Sequence, residues 1–232
     1  LSGQERLLLF GAGGAIGGAI RSAFIDRHWL VTGTGRKSAD GLLGYDPFAA
    51  DAAADAALKQ AGPFDAVCWA QGANLNDNVR SVDADKHMEL YRANVLFCIV
   101  TLKMLLERDL LAPKARLCVI SSIWQTLARP NKLSYAITKA AVQGFVTAAS
   151  VDLGSSGCLI NAVLPGALDT PMTRANLTSE QIAALANATG FGRLAGVSDV
   201  AAAVHFLCSA ENKGVTGQFV RVDLGFSHAR LV

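Results

Sequence analysis

Tyr135 and Lys139 stand four residues apart in the stretch "SYAITKAAVQGF", residues 134–145, and this pair is the first feature of the chain able to do chemistry. Along a helix four residues rise about 6 Å in roughly one turn, so the two side chains share a face. A free phenol ionises near 10, and a neighbouring cation favours its ionised form. A phenol in that setting can give and take a proton near neutral pH. The spacing alone also arises by chance, so its weight depends on its surroundings. Ser122 lies in "CVISSIW", at the end of an apolar run, and Asn94 in "YRANVLF", within a helical pattern. A serine after a strand or an asparagine in a helix more often serves as a cap or a satisfied core polar group. In a parallel sheet, however, both positions fall near one carboxyl edge, and with the Tyr-Lys pair they form a constellation.

The elements that would hold these residues are legible as alternating patterns. Short apolar runs at Leu7 to Phe10, Trp29 to Thr34, Ala66 to Ala70, Arg116 to Ser121, Leu159 to Leu164 and Gln218 to Val222 read as strands, with helical stretches in most gaps. Strands apolar throughout suit a sheet covered on both faces, and regular strand-helix alternation means parallel βαβ units. The expectation is α/β: a single doubly wound Rossmann-type domain over 1–232, with a parallel sheet of about seven strands. A further strand at Leu42 to Tyr45 follows the second so closely that a loop must replace the crossover helix. Between Asp169 and Leu194 the pattern is irregular. Thr178-Ser179-Glu180-Gln181 reads there as a helix start, and 169–194, flanked by Pro171 and Gly190, is expected to act as a mobile substrate lid.

Between the first strand and first helix, "LLLFGAGGAIGGAI" places Gly11, Gly13, Gly14, Gly17 and Gly18. Backbone N–H groups at such a turn can face a pyrophosphate if no Cβ blocks the approach, although glycine turns also serve packing alone. At the end of the second strand, a carboxylate would bind the ribose hydroxyls of NAD and a cation would accept the extra phosphate of NADP. "WLVTGTGRKS" has no acid there and offers Arg36 and Lys37, which favours NADP(H) over NAD(H) unless Arg36 is simply a solvated loop cation.

From about Leu7 to Phe226 these motifs together resemble the short-chain dehydrogenase/reductase family in its small single-domain form. Gly11, with Gly14, Ala15, Ile16 and Gly17, resembles the family's cofactor turn. Asn94, Ser122, Tyr135 and Lys139 match its catalytic set, and Asp46 in "GYDP" matches an acid that contacts the adenine. "NAVLPGALDTPM" resembles the segment that holds the nicotinamide, with Leu168 offering backbone and Thr170 a hydroxyl; Gly72 closes the segment after the fourth strand. Three departures stand out: Phe10 replaces a usual threonine, Ala15 the middle glycine, and "WAQG", residues 69–72, an Asn-Asn-Ala-Gly segment whose asparagines brace the sheet. The resemblance implies hydride transfer between NADP(H) and a ketone or secondary alcohol. In it Tyr135 is the acid/base, Ser122 bonds the substrate oxygen, Lys139 holds the nicotinamide ribose, and Asn94 positions a water in a proton relay. The same resemblance implies a homo-oligomer, dimer or tetramer, built on helices around 95–108 and 135–153.

The bulk numbers restrict the alternatives. With 51% hydrophobic and 17% charged residues, a net charge of +2 and no basic block, the chain suits a compact domain rather than a nucleic-acid or anionic-membrane surface. Five scattered cysteines without a Cys-x-x-Cys pair read as reduced core residues, and no metal site is expected. The apolar start lacks a cationic leader region and reads as a strand, which gives a cytoplasmic expectation. Candidate pocket walls are Trp124, Gln125, Leu127, Met172, Leu177 and Phe191, with Trp124 as readily a packing or subunit contact, and Arg129 or Arg174 able to meet one acid group. They suit a medium-sized, mostly apolar small-molecule ketone or alcohol, a 3-oxoacyl type included. Two other readings remain: a NAD-dependent alcohol dehydrogenase of the same fold, and a non-catalytic NADPH-binding sensor.

Overall fold

The computed structural model describes residues 3–170, 173–174 and 177–229. The described elements in order are β1 (Arg6–Phe10), α1 (Ala15–Ile25), β2 (Leu30–Gly35), β3 (Leu43–Gly44), α2 (Ala52–Ala61), β4 (Phe64–Trp69), α3 (Ala84–Tyr91), a π-helical turn (Arg92–Leu96), α4 (Phe97–Glu107), β5 (Leu111–Ile120), α5 (Leu133–Asp152), β6 (Leu159–Pro165), α6 (Ser179–Asn187), α7 (Val197–Cys208) and β7 (Phe219–Val222). The seven strands form one parallel sheet in the order β3-β2-β1-β4-β5-β6-β7. Strand order reverses between β1 and β4, and the crevice at their carboxyl ends is where such sheets bind ligands.

Continuous apolar strands make two cores, one on each face. Leu7 and Leu9 of β1 pack with Ile20 and Phe24 of α1 and Val200 and Val204 of α7, whereas Leu8 and Phe10 join Leu58, Leu102 and Val146 on the other side. Successive strand residues point to opposite faces, so both sets must be apolar for the strand to be buried. Several helices start where a side chain satisfies their first N–H groups: Asp51 accepts from Ala53 and Ala54 before α2, and Asp83 from Asp85 and Lys86 before α3. Thr178 and Gln181 form the expected capping box at α6, inside the 169–194 segment.

Every strand limit lies within two residues of the sequence expectation except the start of β5. β5 begins at Leu111, five residues early, because a register shift opposite Phe64 to Ala66 absorbs Pro113 and the left-handed Lys114 (φ 62°) without ending the strand. β3 is limited to Leu43–Gly44. Leu42 closes the preceding turn onto Ala39, and Tyr45 packs on Phe10 and Phe97. No helix separates β2 from β3, as the short gap requires. All five cysteines are buried and unpaired, and no helix among the described residues is long and apolar enough to cross a membrane.

Candidate active site

The start of α5 places Tyr135 and Lys139 at the carboxyl edge of the sheet. The Lys139 ammonium lies 5.5 Å from the centre of the Tyr135 ring, and it donates to the carbonyl of Ile120, the last residue of β5, at 3.1 Å. Ser122 follows two residues later and is buried. Its Oγ accepts from the N–H of Trp124 at 3.3 Å, which leaves its O–H free to donate elsewhere. Asn94 sits in the π-helical turn, an element often found at functional sites. Its Nδ2 donates to the Ala73 carbonyl (3.1 Å) and to Thr138 Oγ1 (3.0 Å), and its Oδ1 accepts from Ala73 N–H (2.7 Å). Both Nδ2 hydrogens are therefore used, while one Oδ1 lone pair remains. Gly72 keeps open the space beside it, since a Cβ there would lie 3.2 Å from Asn94 Oδ1 and 3.9 Å from Lys139 Nζ. The four residues thus converge from the π-helical turn, the end of β5 and α5.

The turn after β1 meets this edge from the other side of the crevice. Gly11 adopts φ 79° against the chain leaving β4, and a Cβ on it would meet Gln71 N at 2.5 Å. A Cβ on Gly17 would lie 2.1 Å from Gly11 O, so the first turn of α1 packs directly on the loop before it. Gly14 is the N-cap of α1 and brings no side-chain cap; the first turn, with Ala15 and Ile16, holds no acid. Unlike α2, α3 and α6, this helix leaves its positive end for an outside anion. That end could hold a dinucleotide pyrophosphate, with Gly14, Ala15, Ile16 and Gly17 as the candidate cradle. Arg36 is exposed in the turn after β2 and forms no ion pair among the described residues. Arg21, which no motif in the sequence singles out, reaches the same turn from α1. A Cβ on Gly41 would lie 3.5 Å from its Nη2, and its buried Nε has no partner.

Other expected residues fall around the edge with varied prospects. Asp46 is exposed after β3 and accepts from Phe48 N–H through one oxygen. Leu168 is buried and bridges to Ala195, and Thr170 Oγ1 accepts from Thr173 N–H at 3.2 Å. Trp124 packs edge-on against Phe226, with the Arg129 guanidinium 5.5 Å from its ring. Gln125 is no pocket wall, because it is buried and accepts from Ser121 Oγ at 2.7 Å. Arg174 is held by both oxygens of Asp169, each at 2.8 Å, and does not await an acid. Phe191 is 67% exposed and walls no enclosed space. Met172 lies outside the described residues. A hollow of about 450 Å³ between α6 and α7, lined by Asp169, Ile182, Ala186, Arg193, Leu194 and Asp199, touches none of the four converging residues. Tyr135, Lys139, Ser122 and Asn94 therefore make the stronger candidate site than that hollow.

A second lysine, missed in the sequence, stands beside the tyrosine. Lys132 Nζ lies 5.3 Å from the Tyr135 ring centre and donates to Asn74 Oδ1 at 2.5 Å. The residue is 6% exposed. Burial, then the nearby Arg129, pull its pKa down to about 8, against an opposing pull from Asp77. It precedes Tyr135 by three positions, the other spacing that shares a helix face, and that was the available signal. The start of α5 is also clamped by Asp77, which accepts from Ser134 N–H at 2.9 Å and from Ser134 Oγ, while Ser134 Oγ contacts His87 Nδ1 at 2.8 Å.

The family model described as enoyl-(acyl carrier protein) reductase matches residues 45–227. The 3-oxoacyl-[acyl-carrier-protein] reductase FabG of Salmonella typhimurium is 27% identical over 233 residues, 94% of this chain and 95% of the relative. A cyclopentanol dehydrogenase of Comamonas sp. is 31% identical over 176 residues, 75% of this chain and 70% of that protein. Among solved structures, ElxO with NADP bound superposes with a TM-score of 0.85 at 22% identity, covering 98% of this chain and 100% of that one, a likeness of fold alone. Seven parallel strands in this order, the converging motifs and a family model spanning most of the sequence lead to one assignment: the chain belongs to the short-chain dehydrogenase/reductase family of oxidoreductases.

Proposed function

We propose that the protein interconverts a ketone and a secondary alcohol with NADP(H), Tyr135 serving as the acid and base. The observation that carries this reading is the Tyr135–Lys139 stack beside Ser122, on the same sheet edge as the uncapped end of α1. When bound, the nicotinamide supplies or takes up the hydride, which with one proton balances the two-electron change. Tyr135 gives that proton to the substrate oxygen in reduction and recovers it in oxidation, and Ser122 donates a hydrogen bond to the same oxygen. Lys139 holds the ribose hydroxyls and presents its charge to the phenol. Asn94 braces Ala73 and Thr138, and its remaining Oδ1 lone pair serves a water that links Lys139 to solvent. Asp46, Gly72, Leu168 and Thr170 line the dinucleotide along the sheet edge.

NADP(H) is supported by Arg36, which forms no ion pair among the described residues, by Arg21, which reaches the same turn from α1, and by the NADP in the ElxO structure. Titrating NADPH and NADH separately into wild-type and Arg36→Ala protein tests the choice. NADPH should bind more tightly to the wild type and lose at least about tenfold in the variant, as removal of one charged phosphate contact implies, with NADH little changed. Equal losses for both cofactors would remove Arg36 from the phosphate site, and a wild-type preference for NADH would favour the second reading, a NAD-linked alcohol dehydrogenase. The cyclopentanol dehydrogenase relative is what keeps that reading in view.

A homo-oligomer, dimer or tetramer, is part of the same proposal. Leu96, Ile99 and Leu106 around α4 and Ile137 and Val151 on α5 are exposed large apolar side chains, at spacings that put each set on one helix face. Light scattering should give a multiple of 24.3 kDa; a monomer at micromolar concentration would contradict the assembly.

A further inference from the structure

We propose that Lys132 and Asn74 form a subsite for an acidic group, so that the substrate is a short oxo acid, or the corresponding hydroxy acid, held by its carboxylate beside Tyr135. This inference rests on the catalytic reading of Tyr135 given above. Its starting point is a buried cation with no anion in contact. Lys132 is 6% exposed, its ammonium donates to the neutral carboxamide of Asn74, and no carboxylate lies within ion-pair distance among the described residues. Asp77 is the acid near enough to act on it, and its two oxygens are engaged by Ser134 N–H and Ser134 Oγ. Arg129 repels it from the solvent side. The segment from Ser121 to Ser134 that carries both cations has no acidic residue at all.

Burying an ammonium without a counter-charge is costly, and the cost is recovered when a bound anion supplies the missing partner. The place is informative as well. The Lys132 ammonium lies 5.3 Å from the Tyr135 ring centre, so a molecule whose carbonyl oxygen meets the Tyr135 hydroxyl carries its acid only a few bonds away. Asn74 keeps the ammonium there and offers its own amide N–H groups to the same anion. Of the two arginines expected to be able to meet an acid group, Arg129 and Arg174, the second is already held by Asp169.

The test compares 3-oxobutanoate with its neutral methyl ester, both reduced at the same carbonyl. In wild-type protein kcat/KM for the acid should exceed that for the ester, and Lys132→Met should lower the acid-to-ester ratio at least tenfold, with Lys132→Arg recovering part of it. Asn74→Asp is the second variant. It places a carboxylate against Lys132, keeps the ammonium and the side-chain size, and should lower the ratio in the same sense. The acid's kcat/KM should also fall as pH rises through about 8, where Lys132 loses its proton, and the ester should not share that limb. A binding arm needs no turnover: 3-oxobutanoate titrated into protein saturated with NADP⁺ should bind wild type at least tenfold more tightly than Lys132→Met. Equal ratios in wild type and both variants, or equal or absent binding in the titration, would overturn the subsite. Turnover of the ester without any Lys132-dependent preference would do so while leaving the reductase reading intact. Failure to reduce either compound, with Lys132-dependent binding retained, would count against the reductase reading and not against the subsite.

Discussion

At the scale of single residues, the chain was most legible where geometry fixes spacing. A helix turn dictates that Tyr135 and Lys139 meet, and they do. Lys132 escaped notice because its position before the tyrosine reads as loop, and its ammonium is turned inward by Asn74, a residue far away in sequence. Arg174 and Gln125 were misjudged for the opposite reason. Their partners, Asp169 and Ser121, lie only a few residues away and could have been weighed as local ties. The sign of the pH effect on Lys132 follows from its environment. Burial and Arg129 favour the neutral amine, so the charged form, and with it affinity for an acid, persists below about pH 8 and is lost above it.

At the scale of elements, the departures from the family pattern compensate one another. Phe10 and Trp69 are register partners on β1 and β4, and their rings stack at 6.0 Å. Trp69 Nε1 donates to Thr101 Oγ1 at 2.8 Å, so a sheet-to-helix brace exists without the two asparagines. Neither link can be read from sequence, since the first depends on strands pairing across more than fifty residues and the second on a strand meeting a helix 32 residues away. The π-helical turn that carries Asn94 likewise has no sequence signal, whereas the glycine turn and the helix-free β2–β3 gap are set by local chain length and are legible. The loop after β4 matters more than its sequence suggests, because it clamps the start of α5 through Asn74 and through Asp77 on both Ser134 and Leu133. Asp77→Ala leaves the fully buried Ser134 N–H without a partner. The expected cost is about 1–3 kcal/mol in urea unfolding together with reduced turnover, and Asp77→Asn should restore most of the stability. An unchanged unfolding midpoint in Asp77→Ala would show that the clamp contributes nothing.

At the scale of the whole molecule, the two apolar cores hold a sheet whose carboxyl edge gathers the expected catalytic and cofactor residues from Gly11 to Thr170, while Phe191 stays exposed apart from them. That gathering was legible because parallel order puts all strand ends on one side, whatever the details of each loop. The substrate was not, since it is selected by side chains that meet only after folding. The proposed function turns on Tyr135 moving the proton in an NADP(H)-linked reduction. It is tested most directly by following NADPH oxidation with a ketone panel that includes 3-oxobutanoate, in wild-type and Tyr135→Phe protein, with NADPH affinity measured alongside. The expected result is turnover by the wild type and a fall of at least about a hundredfold in the variant, at nearly unchanged NADPH affinity. Wild-type rates in Tyr135→Phe would contradict it, and tight NADPH binding without turnover of any ketone would point instead to a sensor.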